Sequence, residues 1–341
     1  MNIERLTETA QAMVAPGKGI LAMDESTPTC LRRFEKLGIP CNEESRRAYR
    51  DMLVTNPGLG DFISGAILFD ETIRQSTLAG LPFAEQLVKQ GIIPGIKVDA
   101  GAKALASHPG EKITEGLDGL RERLSEYAKM GARFAKWRAV ITIGNSKPSP
   151  ACVMANAHAL ARYAALCQEA DMVPIVEPEV LMDGDHDIDR CFTVTRETQK
   201  VVFQQLAEQG VVMQGIVLKP SMVIPGKDSP VQAMVEEVAR RTVNCLLETV
   251  PSEVPGIAFL SGGQSDEEAT AHLNAMNRLD ETLPWSLTFS YGRALQAAAM
   301  EAWGGKAEHV KRAQVIALHR AKMNAAAAEG QYAPEMEQQA A

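Results

Sequence analysis

The 341-residue chain predicts an α/β fold, a single (β/α)8 barrel of the TIM type. Three observations point there. Eight short apolar runs recur along the sequence, segments of helical periodicity lie between them, and charged residues sit within or at the ends of the runs. Eight strands, each followed by a crossover, fit a barrel of ordinary size. On pattern alone an open doubly wound sheet is the rival.

The runs, in order, are GILAMD (19–24), ISGAILFD (63–70), PGIKVD (94–99), RFAKWRAV (133–140), VPIVEPE (173–179), GIVLKP (215–220), GIAFLSGG (256–263) and SLTFSYGR (286–293). Each is about the length of a strand. Most alternate too little for a sheet with one wet face, so they read as parallel strands buried on both faces. In the sixth, Gly215 to Leu218 is apolar, Lys219 follows, and Pro220 ends the strand. The spacing predicts helices over 116–131, 149–170, 230–250 and 307–330. No composition break divides the chain. Residues 1–333 are expected to form the barrel and 334–341 a polar C-terminal tail, with 329–341 expected loose.

Composition narrows the function. The chain is 45% hydrophobic and 23% charged, with aromatics at 5% and a net charge of −8. That balance suits a globular protein with an aliphatic core and argues against nucleic acid or an acidic membrane as partner. A local basic pocket for an anionic small molecule is compatible with it. The N-terminus lacks the basic start and apolar block of a signal peptide, and no apolar stretch approaches the about 20 residues that span a bilayer. Six scattered cysteines without a C-x-x-C pair suit a reducing cytoplasm. No metal site is expected: Asp183, Asp185 and Asp187 lack the glycine and distal glutamate of a calcium loop and read as a solvated helix start, and the six histidines show no ligand spacing. His186 is expected in the loop after the fifth strand. Met13, Met23, Met52 and Met213 read as core fillers, Trp137 and Trp285 as packing residues.

Asp24, Lys97, Lys136, Glu177, Glu179, Lys219, Ser261 and Arg293 lie within or at the ends of the runs. In a barrel these positions converge on the C-terminal mouth, where active sites form. Buried ion pairs that fix barrel register are the plain alternative. However, each buried charge costs several kcal/mol before pairing, by the usual order-of-magnitude reckoning. A neutral lysine amine attacks ketones, and low dielectric with neighbouring cations favours the neutral form. The resulting imine is an electron sink, and a carboxylate such as Glu177 or Glu179 must move protons during dehydration. Phosphate is the second theme: the glycine-rich ends Ser261-Gly262-Gly263 and Ser290-Tyr291-Gly292-Arg293 follow strands seven and eight, where barrels commonly hold it.

The motifs GKGILAMDES (17–26), GIKVD (95–99), FAKWR (134–138), PIVEPE (174–179), LKPSMV (218–223), FLSGGQS (259–265) and LTFSYGRALQA (287–297) resemble, in order and spacing, class I fructose-bisphosphate aldolase. AWGGK (302–306) and DGDHD (183–187) fit as well, and the resemblance covers residues 5 to 333. It implies a barrel that cleaves fructose 1,6-bisphosphate to dihydroxyacetone phosphate and glyceraldehyde 3-phosphate, in glycolysis or gluconeogenesis, with no metal or other cofactor. It implies Lys219 as the Schiff-base lysine and Glu177 as the acid/base for dehydration. Asp24 would help deprotonate the C4 hydroxyl, with Lys136 and Glu179 shaping the charge around the imine. Ser261, Gly262, Gly263, Ser290, Gly292 and Arg293 would hold the C1 phosphate. Ser26, Thr29, Arg33 and Lys97 would serve the C6 phosphate, and Arg138 would add to the cationic lining. The family also implies a homotetramer, and the scattered cysteines a cytoplasmic location.

Two departures stand out. The family has serine where this chain has Thr29, which keeps the hydroxyl. In the eukaryotic branch a terminal tyrosine assists proton exchange and favours the bisphosphate. The last tyrosine here is Tyr332, ahead of the closing Gln339-Ala340-Ala341, which leaves the degree of that preference open. Another Schiff-base aldolase of a phosphorylated ketose, or a non-catalytic sugar-phosphate-binding scaffold, are the alternatives. A scaffold would need none of Lys219, Glu177 and Asp24.

Overall fold

A computed structural model of the chain describes residues 1–340. Strands β1 (Gly19–Ala22), β2 (Ile63–Leu68) and β3 (Ile93–Lys97) are followed by a hairpin of β4 (Ala102–Ala104) and β5 (Lys112–Thr114). Then come β6 (Phe134–Ile141), β7 (Val173–Val180), β8 (Val217–Leu218), β9 (Gly256–Phe259) and β10 (Ser286–Tyr291). All but the hairpin pair in parallel and close a barrel in the order β1-β10-β9-β8-β7-β6-β3-β2. The eight apolar runs are these eight strands, and the rival open sheet is excluded by the β1–β10 and β1–β2 pairings that shut the ring.

The apolar lower barrel is filled from both sides. Helix Ile3–Met13 places Leu6, Ala10 and Met13 beneath Ile20, Val173 and Val217, all fully buried. Each of the larger of these side chains, Ala10 excepted, contributes about 1.5–3 kcal/mol relative to exposure. Gly95 makes room for the aromatic filling: a Cβ there would lie 2.2 Å from the ring of Phe134. The upper barrel, by contrast, is lined with charge.

Several boundaries differ from expectation for local reasons. β8 is only two residues long, yet Lys219 extends it, since its N–H donates to the Val176 carbonyl at 2.8 Å. Pro220 has no N–H to continue. β10 stops at Tyr291, so Arg293 is the first residue of helix Arg293–Trp303, not the end of a strand. The four expected helices are shorter, at Leu120–Lys129, Pro150–Glu169, Val235–Thr249 and Val310–Ala328. The segment expected loose is docked through residue 338. Glu337 accepts from Arg320 (2.5 Å), from the Tyr332 hydroxyl (3.1 Å) and lies 2.9 Å from His319 Nε2. Ala341 lies outside the described residues. Asp187 caps helix Ile188–Glu208, accepting from the Arg190 N–H, as a helix-start aspartate should. Met13, Met23 and Met52 are buried in the core, and Trp137 packs on Tyr163 at 5.5 Å. Among the described residues, no helix is long and apolar enough to cross a membrane.

Candidate active site

The C-terminal ends of the barrel strands enclose a cavity of about 620 Å³. Every candidate residue lines it except Gly263, the next residue of the Ser261-Gly262 turn. The centre is a chain of four charges from four strands. Asp24, two residues past β1, accepts a hydrogen bond from Lys136 of β6 at 2.9 Å. Lys136 Nζ lies 3.2 Å from Glu177 Oε2 on β7. Glu177 Oε1 lies 3.4 Å from Nζ of Lys219. All four side chains are at most a tenth exposed.

This arrangement sorts the protons. Burial works against the charge of Lys136, but Asp24 and Glu177 outweigh it and hold the ammonium protonated. Burial alone would raise the Asp24 carboxyl; Lys136 and Lys219 reverse that and bring it down to about 2. Lys219 moves the opposite way from Lys136. Burial, reinforced by the Lys136 charge, lowers its pKa, against the pull of Glu177 and Asp24. Two lysines in one pocket are thereby made different: one a fixed cation, the other biased toward the nucleophilic amine.

Around this centre lie further pairs. Arg138 bonds the Glu179 carboxylate through Nε. Lys97 Nζ donates to Asp99 Oδ1 at 2.5 Å, while the other Asp99 oxygen accepts from the Arg138 N–H at 3.2 Å. Arg33 Nη1 donates to Glu25 Oε1 at 2.6 Å. Ser26 opens helix Thr27–Lys36, and its Oγ meets the Thr29 hydroxyl at 3.2 Å. Glu25 and Asp99 also line the cavity, although the sequence pattern does not single them out as site residues. Their signal was a second carboxylate beside Asp24 and one two residues after Lys97.

On the opposite wall, Ser261 is buried and Gly262 and Gly263 take φ of +64° and +115°, a backbone that favours glycine. Gly292 is the N-cap of helix Arg293–Trp303 and lines the cavity with Arg293, which sets the start of that helix, with its unpaired first N–H groups, at the cavity wall. The Ser290 hydroxyl is buried and has no hydrogen-bond partner. Among the described residues Arg293 has no carboxylate within salt-bridge distance, unlike the other five cations of the cavity. An unsatisfied hydroxyl, free N–H groups and one unpaired guanidinium in one place suit a phosphate.

Two residues lie elsewhere. His186 sits in the loop after β7, outside the cavity lining, and burial lowers its pKa. Tyr332 is buried against the docked tail and does not line the cavity. Among the described residues no group of three or more His, Cys, Asp or Glu could hold a metal ion.

Comparison with known proteins identifies the family. The family model "Fructose-bisphosphate aldolase class-I" matches residues 5–341. A probable fructose-bisphosphate aldolase class 1 of Xanthomonas campestris is 62% identical over 333 residues, 97% of this chain and 99% of the relative. The cytosolic fructose-bisphosphate aldolase 5 of Arabidopsis thaliana is 53% identical over 329 residues, 96% of this chain and 92% of the relative. Among solved structures, fructose-bisphosphate aldolase from Plasmodium falciparum, in complex with TRAP and a small-molecule inhibitor, superposes with a TM-score of 0.96 at 49% identity, covering 97% of this chain and 96% of that one. The chain belongs to the class-I fructose-bisphosphate aldolase family.

Proposed function

We propose that the protein cleaves fructose 1,6-bisphosphate reversibly to dihydroxyacetone phosphate and glyceraldehyde 3-phosphate through a Schiff base on Lys219. The observation that carries this is the contrast between the two buried lysines: Lys136 is held charged, and Lys219, 3.4 Å from Glu177, is biased toward the free amine.

The Lys219 amine adds to the C2 carbonyl. Glu177 protonates the departing hydroxyl, water leaves, and a protonated imine remains. The ionised Asp24 faces the C4 hydroxyl and helps remove its proton. As the C3–C4 bond breaks, its electron pair passes to the imine and forms an enamine, and the C4 aldehyde leaves. Protonation at C3 and hydrolysis of the imine release the ketose phosphate and restore the amine. Lys136 offsets negative charge on Asp24 and Glu177 throughout, and Glu179 orients Arg138 beside the site. Ser261, Gly262, Gly263, Ser290, Gly292 and Arg293 hold the C1 phosphate; Ser26, Thr29, Arg33 and Lys97 hold the C6 phosphate, with Arg138 adding positive potential.

By family resemblance we further propose a cytoplasmic homotetramer in which residues 1–333 form the catalytic barrel and 334–341 a tail. A cleavage assay coupled to NADH oxidation, run in excess EDTA, tests the reaction. Turnover should persist under chelation, because the imine supplies the electrophile a divalent ion would otherwise provide. No turnover would favour a sugar-phosphate-binding scaffold, and activity that needs zinc would overturn the mechanism.

A further inference from the structure

We infer that Lys227 is an additional phosphate-binding residue, held on Asp183 and handed to the C1 phosphate when substrate binds. This rests on the reaction and phosphate orientation proposed above.

The loop after β7 and the loop after β8 are locked together. Gly226 N–H donates to the His186 carbonyl at 2.8 Å, Lys227 N–H to Met182 at 2.8 Å, and Asp228 N–H to Gly184 at 2.9 Å. Only glycine fits at 226, where a Cβ would lie 2.1 Å from the Gly184 carbonyl oxygen. The backbone of Lys227 is therefore fixed, and its side chain runs back toward the phosphate turn. A Cβ placed on Gly263 would lie 3.4 Å from Lys227 Cε and 3.5 Å from Arg293 Nη2. The two cations flank the same glycine. Lys227 Nζ rests on Asp183 Oδ1 at 2.8 Å, in a pair whose side chains are 46% and 64% exposed. A pair that open contributes little and is easily exchanged for another anion. Lys227 lies outside the cavity lining, one glycine away from it, and a phosphate beside Gly263 would offer it more charge than one carboxylate, on a flexible four-carbon stem that lets the ammonium turn between anions.

Two variants that break the same ion pair should differ in effect, only one of them raising KM. Lys227→Gln removes the cation and should raise KM for both fructose 1,6-bisphosphate and fructose 1-phosphate by roughly three- to tenfold, below a full charged hydrogen bond because the site is partly wet. Asp183→Asn frees the cation and should leave KM unchanged or lower it. Lys227→Arg should keep most of the affinity, and adding Asp183→Asn to Lys227→Gln should change nothing further. If Asp183→Asn and Lys227→Gln raise KM alike, the pair merely ties two loops and the inference is wrong. It is equally wrong if neither variant moves KM. A wild-type enzyme that cleaves neither sugar would instead refute the proposed reaction, and this inference with it.

Discussion

Replacing Arg293 and Arg33 by alanine, one at a time, should separate the two phosphate ends of the site. Arg293 is exposed and, among the described residues, has no carboxylate partner, so its removal costs the fold little. Exposed substitutions of this kind stay within about 0.5 kcal/mol. A charge-assisted hydrogen bond to phosphate is worth ~1.5–3 kcal/mol, which corresponds to roughly a ten- to 150-fold loss in kcat/KM. That loss should appear with fructose 1,6-bisphosphate and equally with fructose 1-phosphate, since both carry the C1 phosphate. Arg33 differs in two respects. It is paired at 2.6 Å with Glu25, whose side chain is only 5% exposed. Truncating it strands a buried carboxylate at a cost of about 1–3 kcal/mol, which should lower Tm by roughly 1–4 °C in a chain of this size. It should also damage the bisphosphate reaction while sparing fructose 1-phosphate. Coupled kinetics with both sugars and a thermal melt of each variant give all the readings. If Arg33→Ala harms both sugars equally while Arg293→Ala discriminates, the phosphate ends are assigned backwards. If neither changes kcat/KM, these arginines are structural.

Two further outcomes follow from the buried charges. Asp24 is held near 2 in the folded protein against 3.8 in the unfolded chain, so its contribution to stability is complete above about pH 4 and lost as pH falls through about 2. The stability difference between wild type and Asp24→Asn, from urea unfolding, should narrow by about 1 kcal/mol between pH 5 and pH 3; a constant difference would contradict the charge assignment. Glu177→Gln should lower kcat by roughly 10²–10⁴-fold, with imine formation slowed to match in single turnovers; an effect confined to KM would remove Glu177 from the acid/base role.

Much of this site is legible in the sequence, because a parallel strand buried on both faces makes an isolated charge conspicuous. Lys219 after Gly215–Leu218, and Glu177 and Glu179 around Pro178, are such cases. What stayed hidden depends on contacts between segments distant in sequence. Glu25 stands beside Asp24 in the chain, but only helix Thr27–Lys36 brings Arg33 back to it. Asp99 anchors Lys97 because the chain bends after β3. The hairpin β4–β5 has strands of three residues, AKA and KIT, too short and too exposed for any periodicity to register. The tail reads as loose because its composition is polar, yet Glu337 meets Arg320 and His319 on helix Val310–Ala328, a partnership that composition cannot express. Lys227 reaches Gly263 only because two loops meet.

The identity of the imine-forming lysine tests the account most directly. Borohydride reduction in the presence of dihydroxyacetone phosphate, followed by peptide mass mapping, should place a single reduced adduct on Lys219, and Lys219→Ala should lose both the adduct and nearly all cleavage while keeping its fold. Lys219→Arg should fail too, because a guanidinium stays protonated. An adduct on Lys136 or Lys97 would contradict the central claim, that burial and the neighbouring Lys136 charge single out Lys219 as the nucleophile.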